Sequence, residues 1–478
     1  MPAINGSAYL KRIKDLKAEI WLEGKKITGC ITEHQAFKGI LNSKARLYDL
    51  QLEDSKKDFM TFTSPLTGER VGTSYLIPRS KEDLEKRRLT TQEWAKTSGG
   101  MMGRSPDYMN TGLMALAAAW EEFEDDNHFG RRLKGIYEHA RENDLTFAHT
   151  FLSPQMNRSV GYCEQSEEPI SARVVKTTNE GLIIKGARVM ATQGGLTDEI
   201  LLLPVGGSFI EEPFIYAFSI PSSTPGLKFL CRESFAYRPS KWDHPLGARF
   251  EEMDATVVFN NVLVPWERVF LHKNYSVLIS MYEASKFYPF LLHQIVSRQV
   301  IKTQFLLGAA QLMVNAIDIG DYHHVKDKVC EMITGFEVMR ALLFTSELEA
   351  RKDERGVMIP SGNSLYAAIT MFPKLYPRLI EIIQLLGAGG IISIPTESDF
   401  QSPIQEDLLL YAQGSSCDAE TKNQIFRLAW DISTSAYGGR QTLYERFFFG
   451  DPERIKTGIY NSYPRDDAMQ MVKEMLDS

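Results

Sequence analysis

Between Ile170 and Pro265 the apolar residues lose helical spacing and fall into short β-rich runs. ISARVVKTTNEGLIIKGARVM reads as a strand, an Asn-Glu-Gly turn and a second strand, the pattern of a hairpin. EILLLPVG, FIYAFSIP, LKFLCR and ATVVFNNVLVP follow, bounded by Gly, Pro or Asn. Helices do not alternate with these strands. That predicts an antiparallel β region ending near Pro265-Trp266 and disfavours a doubly wound nucleotide-binding sheet.

The flanks keep the helical period. MPAINGSAYLKRIKDLKAEI predicts an amphipathic helix with Tyr9, Ile13, Leu16 and Ile20 on one face. SKEDLEKRRLTTQEW carries two helix starts, Ser80 with Asp83 and Thr90 with Glu93. After Tyr275 come two long amphipathic helices, from His293 and from His323, and a third stretch that Pro373 and Pro377 would interrupt. AETKNQIFRLAWDIST gives the last, and such helices suggest a bundle. The expected fold is therefore α+β: an N-terminal helical domain over 1–150, a β domain over 151–272 and a C-terminal helical bundle over 273–478.

With 43% hydrophobic and 24% charged residues in 478, the chain has ample material for a core and is not a disordered one. A net charge of -7 argues against nucleic acid or an anionic membrane as the main partner. No apolar run reaches a membrane span, and the N-terminus lacks the pattern of a signal peptide. Five scattered cysteines show no zinc-like spacing, so reduced, mostly buried thiols, no structural metal and a cytoplasmic location are expected. The acidic run Glu121 to Asp126 lacks the pattern of a calcium loop and reads as solvated surface. His323, His324 and Cys330 lie on a predicted helix, marking its surface and core rather than a metal site.

GRSPDYMNTGLM raises a chemical question. Ser105 at the N-cap, Pro106 at the first helical position and Asp107 in the first turn announce a helix start. Arg104 and Tyr108 flank that start, placing a fixed cation and a phenol where a helix already favours anions. On spacing alone, Arg104 paired with a nearby acid and Tyr108 in the core is the favoured reading. No G-x-G-x-x-G strand–turn–helix for a nicotinamide cofactor is present.

Five segments in order, GRSPDY, FAHTFLSPQMNRS, GARVMATQGGLTDE, FNNVLVPWERVF and GGRQTLYERFFFGDP, carry a resemblance. Over essentially its whole length the chain resembles the flavin-dependent 4-hydroxyphenylacetate 3-monooxygenase oxygenase family, within the acyl-CoA dehydrogenase superfamily. The resemblance implies an acyl-CoA dehydrogenase-like layout and a two-component enzyme. Reduced FAD, delivered by a separate NAD(P)H-flavin reductase, would activate oxygen as a flavin hydroperoxide and hydroxylate a phenol ortho to its hydroxyl. 4-Hydroxyphenylacetate is the first candidate substrate.

The resemblance also assigns residues. Arg104, Tyr108 and His149 would meet the reacting end of the phenol and stabilise its phenolate, His149 also facing the flavin; His139, in YEHARE, is the solvated competitor. Gln155, Met156, Asn157 and Arg158 match a flavin-contacting loop, and Thr192 a flavin-contacting threonine, with Gln193 and the glycines after it letting backbone approach the ring. Arg298, at the start of a bundle helix, would reach the diphosphate. The turn Gln384 to Gly390, with Gly389, would reach flavin from a neighbouring subunit and so imply a homotetramer; Tyr444 and Arg446 would contact FAD. Val205 and Ser208, in the loop Pro204 to Phe209, would anchor a substrate carboxylate. A polar loop, a plain turn and tight helix packing explain several of these positions equally well. The rival dehydratase of this superfamily needs cluster-binding cysteines absent here, and an acyl-CoA dehydrogenase needs a carboxylate base that no position marks. A non-catalytic flavin-binding scaffold would not need Arg104, Tyr108 and His149 together.

Overall fold

The computed structural model describes residues 3–154, 156–157, 159–160, 166, 168–204, 211–236 and 240–477. The first segment contains α1 (Gly6–Leu16), α2 (Gln35–Leu50), α3 (Lys57–Met60), α4 (Lys81–Thr97), α5 (Pro106–Ala117) and α6 (Phe129–Asn143). Its strands are β1 (Ile20–Leu22), β2 (Lys25–Lys26), β3 (Thr61–Thr63), β4 (Arg70–Gly72) and β5 (Phe147–Thr150). Tyr9 and Ile13 are buried on α1 as expected, but Ile20 belongs to β1, because Lys17 turns left-handed and ends the helix. Ser80 and Asp83 form a reciprocal capping box. Thr90 starts no second helix: it lies inside α4, where its hydroxyl donates to the Phe59 carbonyl at 3.2 Å.

The middle region holds β6 (Arg173–Thr177), β7 (Gly181–Thr192), β8 (Glu199–Leu202), β9 (Tyr216–Pro221) and β10 (Leu227–Cys231), then α7 (Gly247–Phe250), β11 (Asp254–Pro265) and β12 (Val269–His272). β6 and β7 form the expected hairpin. The strands make a six-stranded sheet, β2-β1-β10-β11-β7-β6, and a four-stranded sheet, β12-β9-β8-β5. Neither is purely antiparallel. β1 pairs parallel with β10, and β5 parallel with β8. Both parallel partners come from the first segment, so strand pairing crosses the division at 150, and pairing over such sequence distance leaves no local signal.

The last segment holds α8 (Tyr275–Ala284), α9 (Phe287–Ala316), α10 (His323–Leu348), α11 (Gly362–Gly387), α12 (Gln405–Tyr411), α13 (Ala419–Ser433), α14 (Ala436–Phe447), α15 (Pro452–Ser462) and α16 (Asp466–Leu476). α11 runs through both Pro373 and Pro377. Pro377 lacks the N–H that would reach the carbonyl of Pro373 four residues back, so the prolines weaken one stretch of the ladder. Phe372, Tyr376, Leu379 and Ile380 bury the same stretch. α9 is not amphipathic in place: residues 290–303 are all buried, and it packs against α4, α5, α10, α11 and α13. The thiols also depart from expectation, since Cys30 and Cys330 are exposed and Cys231 and Cys417 only half-buried.

Ser80→Ala removes the acceptor of one α4 N–H while the helix stays otherwise intact. It should cost about 1 kcal/mol of stability, read as a lower urea midpoint at unchanged slope.

Candidate active site

The start of α5 is held by its surroundings rather than by a conventional cap. Pro106 occupies the first helical position as expected, but the Ser105 hydroxyl accepts no backbone N–H; it donates to Asp107 Oδ1 at 2.5 Å. Asp107 Oδ2 accepts from Thr91 Oγ1 at 2.7 Å and from Gln294 Nε2 at 3.1 Å, which pins the first turn to α4 and α9. Gly103 is required sterically: a Cβ there would lie 2.2 Å from the Tyr444 hydroxyl oxygen.

Arg104 sits in an aromatic cage. Its guanidinium carbon is 4.1 Å from the Tyr108 ring centroid, 5.2 Å from that of Tyr444 and 5.3 Å from that of Phe448. Nη1 donates to the Tyr444 hydroxyl at 2.7 Å, and Tyr444 stacks on Phe448 at 4.7 Å. Nε is buried without a partner. Burial works against the charge, but Tyr108, Tyr444 and Glu252 outweigh it and hold the guanidinium above its ordinary pKa. No acid pairs with this side chain among the described residues, so the bland reading of Arg104 as half of an ion pair fails.

His149 enters from β5, where it stands opposite Leu201 of β8. Its ring lies 5.4 Å from that of Tyr108 and 5.0 Å from that of Phe151. Burial, then the charge of Arg104, pushes its pKa well below the usual imidazole value, so it is neutral at pH 7. Arg104, Tyr108 and His149 thus converge as expected, brought together by α5 and β5. His139 is exposed.

The turn after β7 meets this cluster. Thr192 Oγ1 donates to Asp254 Oδ1 at 2.8 Å, and Gln193, left-handed at φ +61°, donates from Nε2 to Glu252 Oε1 at 2.7 Å and to the Arg104 carbonyl at 3.2 Å. The glycines of this turn are demanded by packing: a Cβ at Gly194 would lie 2.8 Å from the Phe229 ring, and one at Gly195 2.8 Å from Ile20. Asp254 is clamped by Arg440, with Nε to Oδ2 at 3.0 Å and Nη2 to Oδ1 at 2.9 Å, and by Arg232 at 3.0 Å. Burial would raise its pKa, but the two guanidiniums hold it below the carboxylate range.

Sequence reading missed Glu252, Asp254 and Arg440. The acidic EEMD run leading into an apolar strand was the available signal, because charges at such a place need partners.

Arg298 is not at a helix start but midway along α9, fully buried. It donates to both oxygens of Glu445, at 2.7 and 3.1 Å, and to the Gly100 carbonyl at 2.9 Å, leaving Nε without a partner. Lys302, one turn on, donates to Glu445 at 2.8 Å and Gln441 at 2.7 Å. Burial lowers the Lys302 pKa to about 8. Burial would raise that of Glu445, but the two cations bring it to about 2.

The remaining expected residues lie elsewhere or outside view. Gln155, Arg158, Val205 and Ser208 fall outside the described residues. Met156 and Asn157 are exposed. Arg446 is exposed, as is Gly389, where a Cβ would meet nothing within 4 Å among the described residues, so their packing does not demand that glycine. Among the described residues no cluster of three His, Cys, Asp or Glu could hold a metal, and no helix is long and apolar enough to cross a membrane.

A flavin fits what is present. Among the described residues, Arg104 Nε, Gln193 Oε1, Arg298 Nε and Arg440 Nη1 are buried without hydrogen-bond partners, and the three guanidinium carbons lie 5.2, 5.9 and 5.0 Å from the Tyr444 ring centroid. Leu152, which bridges Val189 of β7, and Met190 of the same strand keep exposed apolar side chains.

Models of the 4-hydroxyphenylacetate 3-hydroxylase N-terminal and C-terminal regions match residues 5–271 and 279–477. The chain belongs to the 4-hydroxyphenylacetate 3-hydroxylase family. Within the family it is 49% identical to a probable 4-hydroxyphenylacetate 3-monooxygenase of Bacillus subtilis, over 100% of this chain and 99% of that protein. It is 39% identical to the oxygenase component of 4-hydroxyphenylacetate 3-monooxygenase from Thermus thermophilus, covering 99% and 97%. A crystal structure of such an oxygenase component, complexed with FAD and 4-hydroxyphenylacetate, superposes with a TM-score of 0.94 at 39% identity, covering 99% of this chain and 98% of that one. An archaeal 4-hydroxybutyryl-CoA dehydratase shares the fold, with a TM-score of 0.89 at 19% identity over 99% and 95%. The α+β, acyl-CoA dehydrogenase-like architecture expected for the family is the one found.

Two outcomes follow from this geometry. Gly103→Ala forces Tyr444 off Arg104 and should cost about 1–3 kcal/mol, measured by thermal or urea unfolding. His149 has a folded pKa below its unfolded value of about 6.5, so the unfolded chain binds the extra proton. Its contribution is therefore full above that value and lost as pH falls below it. Between pH 7 and pH 5 the wild type should lose more stability than His149→Gln, compared by urea titration at each pH.

Proposed function

We propose that this chain is the oxygenase component of a two-component, FADH2-dependent monooxygenase that hydroxylates 4-hydroxyphenylacetate, or a closely related 4-substituted phenol, ortho to its hydroxyl. The observation that carries the reading is an Arg104 guanidinium with no ion-pair partner among the described residues, caged with Tyr108 beside a neutral His149. A cation so placed lacks only a small anion, and a phenolate is one. The family membership supports the same reaction. Reduced FAD is the cofactor, drawn from a separate NAD(P)H-flavin reductase, and O2 is the co-substrate.

Bound reduced FAD would supply the oxygen transfer. Thr192 and the backbone at Gln193 would hold its ring edge, with Tyr444 and Arg440 beside them; Gln155, Met156, Asn157 and Arg158 would complete the set by resemblance. The chain's own contribution is to the phenol. Oxygen transfer needs an electron-rich ring, and a free phenol has a pKa near 10. Arg104 stabilises the ionised oxygen by charge and Tyr108 by hydrogen bonding, in a site where few waters screen them. A neutral His149 with a depressed pKa is a weak base. Its part is to hold the phenolate oxygen through a ring N–H, in preference to storing the phenol proton. Val205 and Ser208 are the proposed anchors of the substrate carboxylate.

The proposed assembly is a homotetramer in which Gly389, on its exposed turn, reaches the flavin of a neighbour and Arg446 joins the cofactor site; Arg298 acts there through Glu445. A cytoplasmic location fits an enzyme that shares its reductase's flavin pool.

The test is anaerobic loading with reduced FAD, addition of 4-hydroxyphenylacetate and oxygen, and chromatography of the products. A catechol product is expected from the wild type. In Arg104→Met its yield should fall about 100-fold while peroxide rises and reduced-FAD binding persists. Unchanged yield in Arg104→Met would count against the phenolate role.

A further inference from the structure

We propose that Glu252 is a positioning residue: it fixes the distance between the cation that meets the phenolate and the turn that holds the flavin edge, so that oxygen reaches the phenol instead of leaving as peroxide. The proposal rests on the reading of Arg104 given above.

Glu252 is fully buried, two residues before β11 begins. Its Oε1 accepts the Arg104 backbone N–H at 2.7 Å and Gln193 Nε2 at 2.7 Å, and its Oε2 accepts the Gly103 N–H at 2.9 Å. The Gln193 amide closes the loop by donating to the Arg104 carbonyl at 3.2 Å. One carboxyl group therefore grips the residues just before α5 and the residue just after Thr192. Two positions on, Asp254 grips Thr192 itself and Arg440, whose Nη1 stands 3.7 Å from Glu252 Oε2.

Simple neutralisation of Arg440 does not explain this arrangement. Arg440 is already bidentate on Asp254 at 2.9 and 3.0 Å, nearly an ångström closer than its approach to Glu252. The short bonds of Glu252 go to amides, and all of those amides belong to the two site segments. Bonds from N–H groups to a buried carboxylate are among the stronger hydrogen bonds in proteins, which suits a contact that must hold two loops in register.

The chemistry makes register matter. In the coupled reaction, FADH2, O2 and the phenol give FAD, the catechol and water, one oxygen atom forming the new C–O bond and the other leaving as water. In the uncoupled reaction FADH2 and O2 give FAD and hydrogen peroxide. Both oxidise the flavin by two electrons, so the position of the ring relative to the oxygen, together with its ionisation at Arg104, decides between them. A misplacement of about 1 Å is enough to cost about 100-fold in a positioned reaction.

The experiment compares wild type, Glu252→Gln and Gln193→Ala. The Kd values of reduced FAD and of 4-hydroxyphenylacetate are measured anaerobically, then catechol and peroxide per FADH2 oxidised are measured after oxygen is added. Glu252→Gln sets a side-chain NH2 against backbone N–H donors. Its Kd for the phenol should rise about tenfold and its catechol fraction fall several-fold, peroxide making up the difference, with reduced-FAD Kd within about twofold. A folded Glu252→Gln with wild-type phenol Kd and coupling overturns the proposal. If Glu252→Gln does not fold, Gln193→Ala decides, because it keeps the charge and loses one tether: a reduced catechol fraction at unchanged reduced-FAD Kd supports positioning, and wild-type coupling overturns it. A wild type that binds reduced FAD but neither binds the phenol nor yields catechol overturns the Arg104 reading itself, before any variant is compared.

Discussion

The buried carboxyl group of Glu252, bonded to the backbone N–H groups of Gly103 and Arg104, ties the helical first segment to the β region where the candidate site forms. Through Gln193 the same group reaches the turn after β7, and Arg440 behind it brings in α14 from the bundle. Three parts of the chain therefore share one polar hub. Removing a partner from such a hub leaves buried groups unsatisfied, which costs far more than any one of its bonds contributes.

A second buried cluster sets the hub's height on the bundle. Arg298 and Lys302 of α9 converge on Glu445 of α14, one residue beyond Tyr444. Because α9 is surrounded by helices, its position is over-determined, and Glu445 transmits that position to Tyr444. Tyr444 stacks on Phe448 and receives the hydrogen bond of Arg104. The Arg104 cation is thus held from its backbone by Glu252 and from its side chain by the bundle.

Much of this is legible in the amino-acid sequence. The shift from helical to alternating periodicity located the β region, and the Ser80–Asp83 box and Ser105-Pro106 located two helix starts. The short segments around Arg104, Tyr108, His149 and Thr192 were readable as site segments through their family resemblance, and three of those residues converge within one cluster. The errors share a cause. Ile20, Thr90, Pro373 and Pro377 were read from local rules, and each was overridden by packing or pairing with distant chain. Arg298 was read as the start of a bundle helix, but it lies midway along α9, and burial among α4, α5, α10, α11 and α13 makes it the partner of Glu445.

The sequence by itself determined the periodicities, the helix starts and the residue types of the site, because these depend on neighbours within a few positions. It also determined membership of the family, since whole segments are shared in order. The tertiary structure alone decided that β1 pairs Ile20 with Phe229 and β5 pairs Phe147 with Glu199, that Glu252 faces the amides of Gly103 and Arg104, and that Arg104 has a phenol and, among the described residues, no paired carboxylate beside its side chain. Those contacts join residues with no periodic relation along the chain. Their energies depend on burial and distance, and neither exists until the chain is folded.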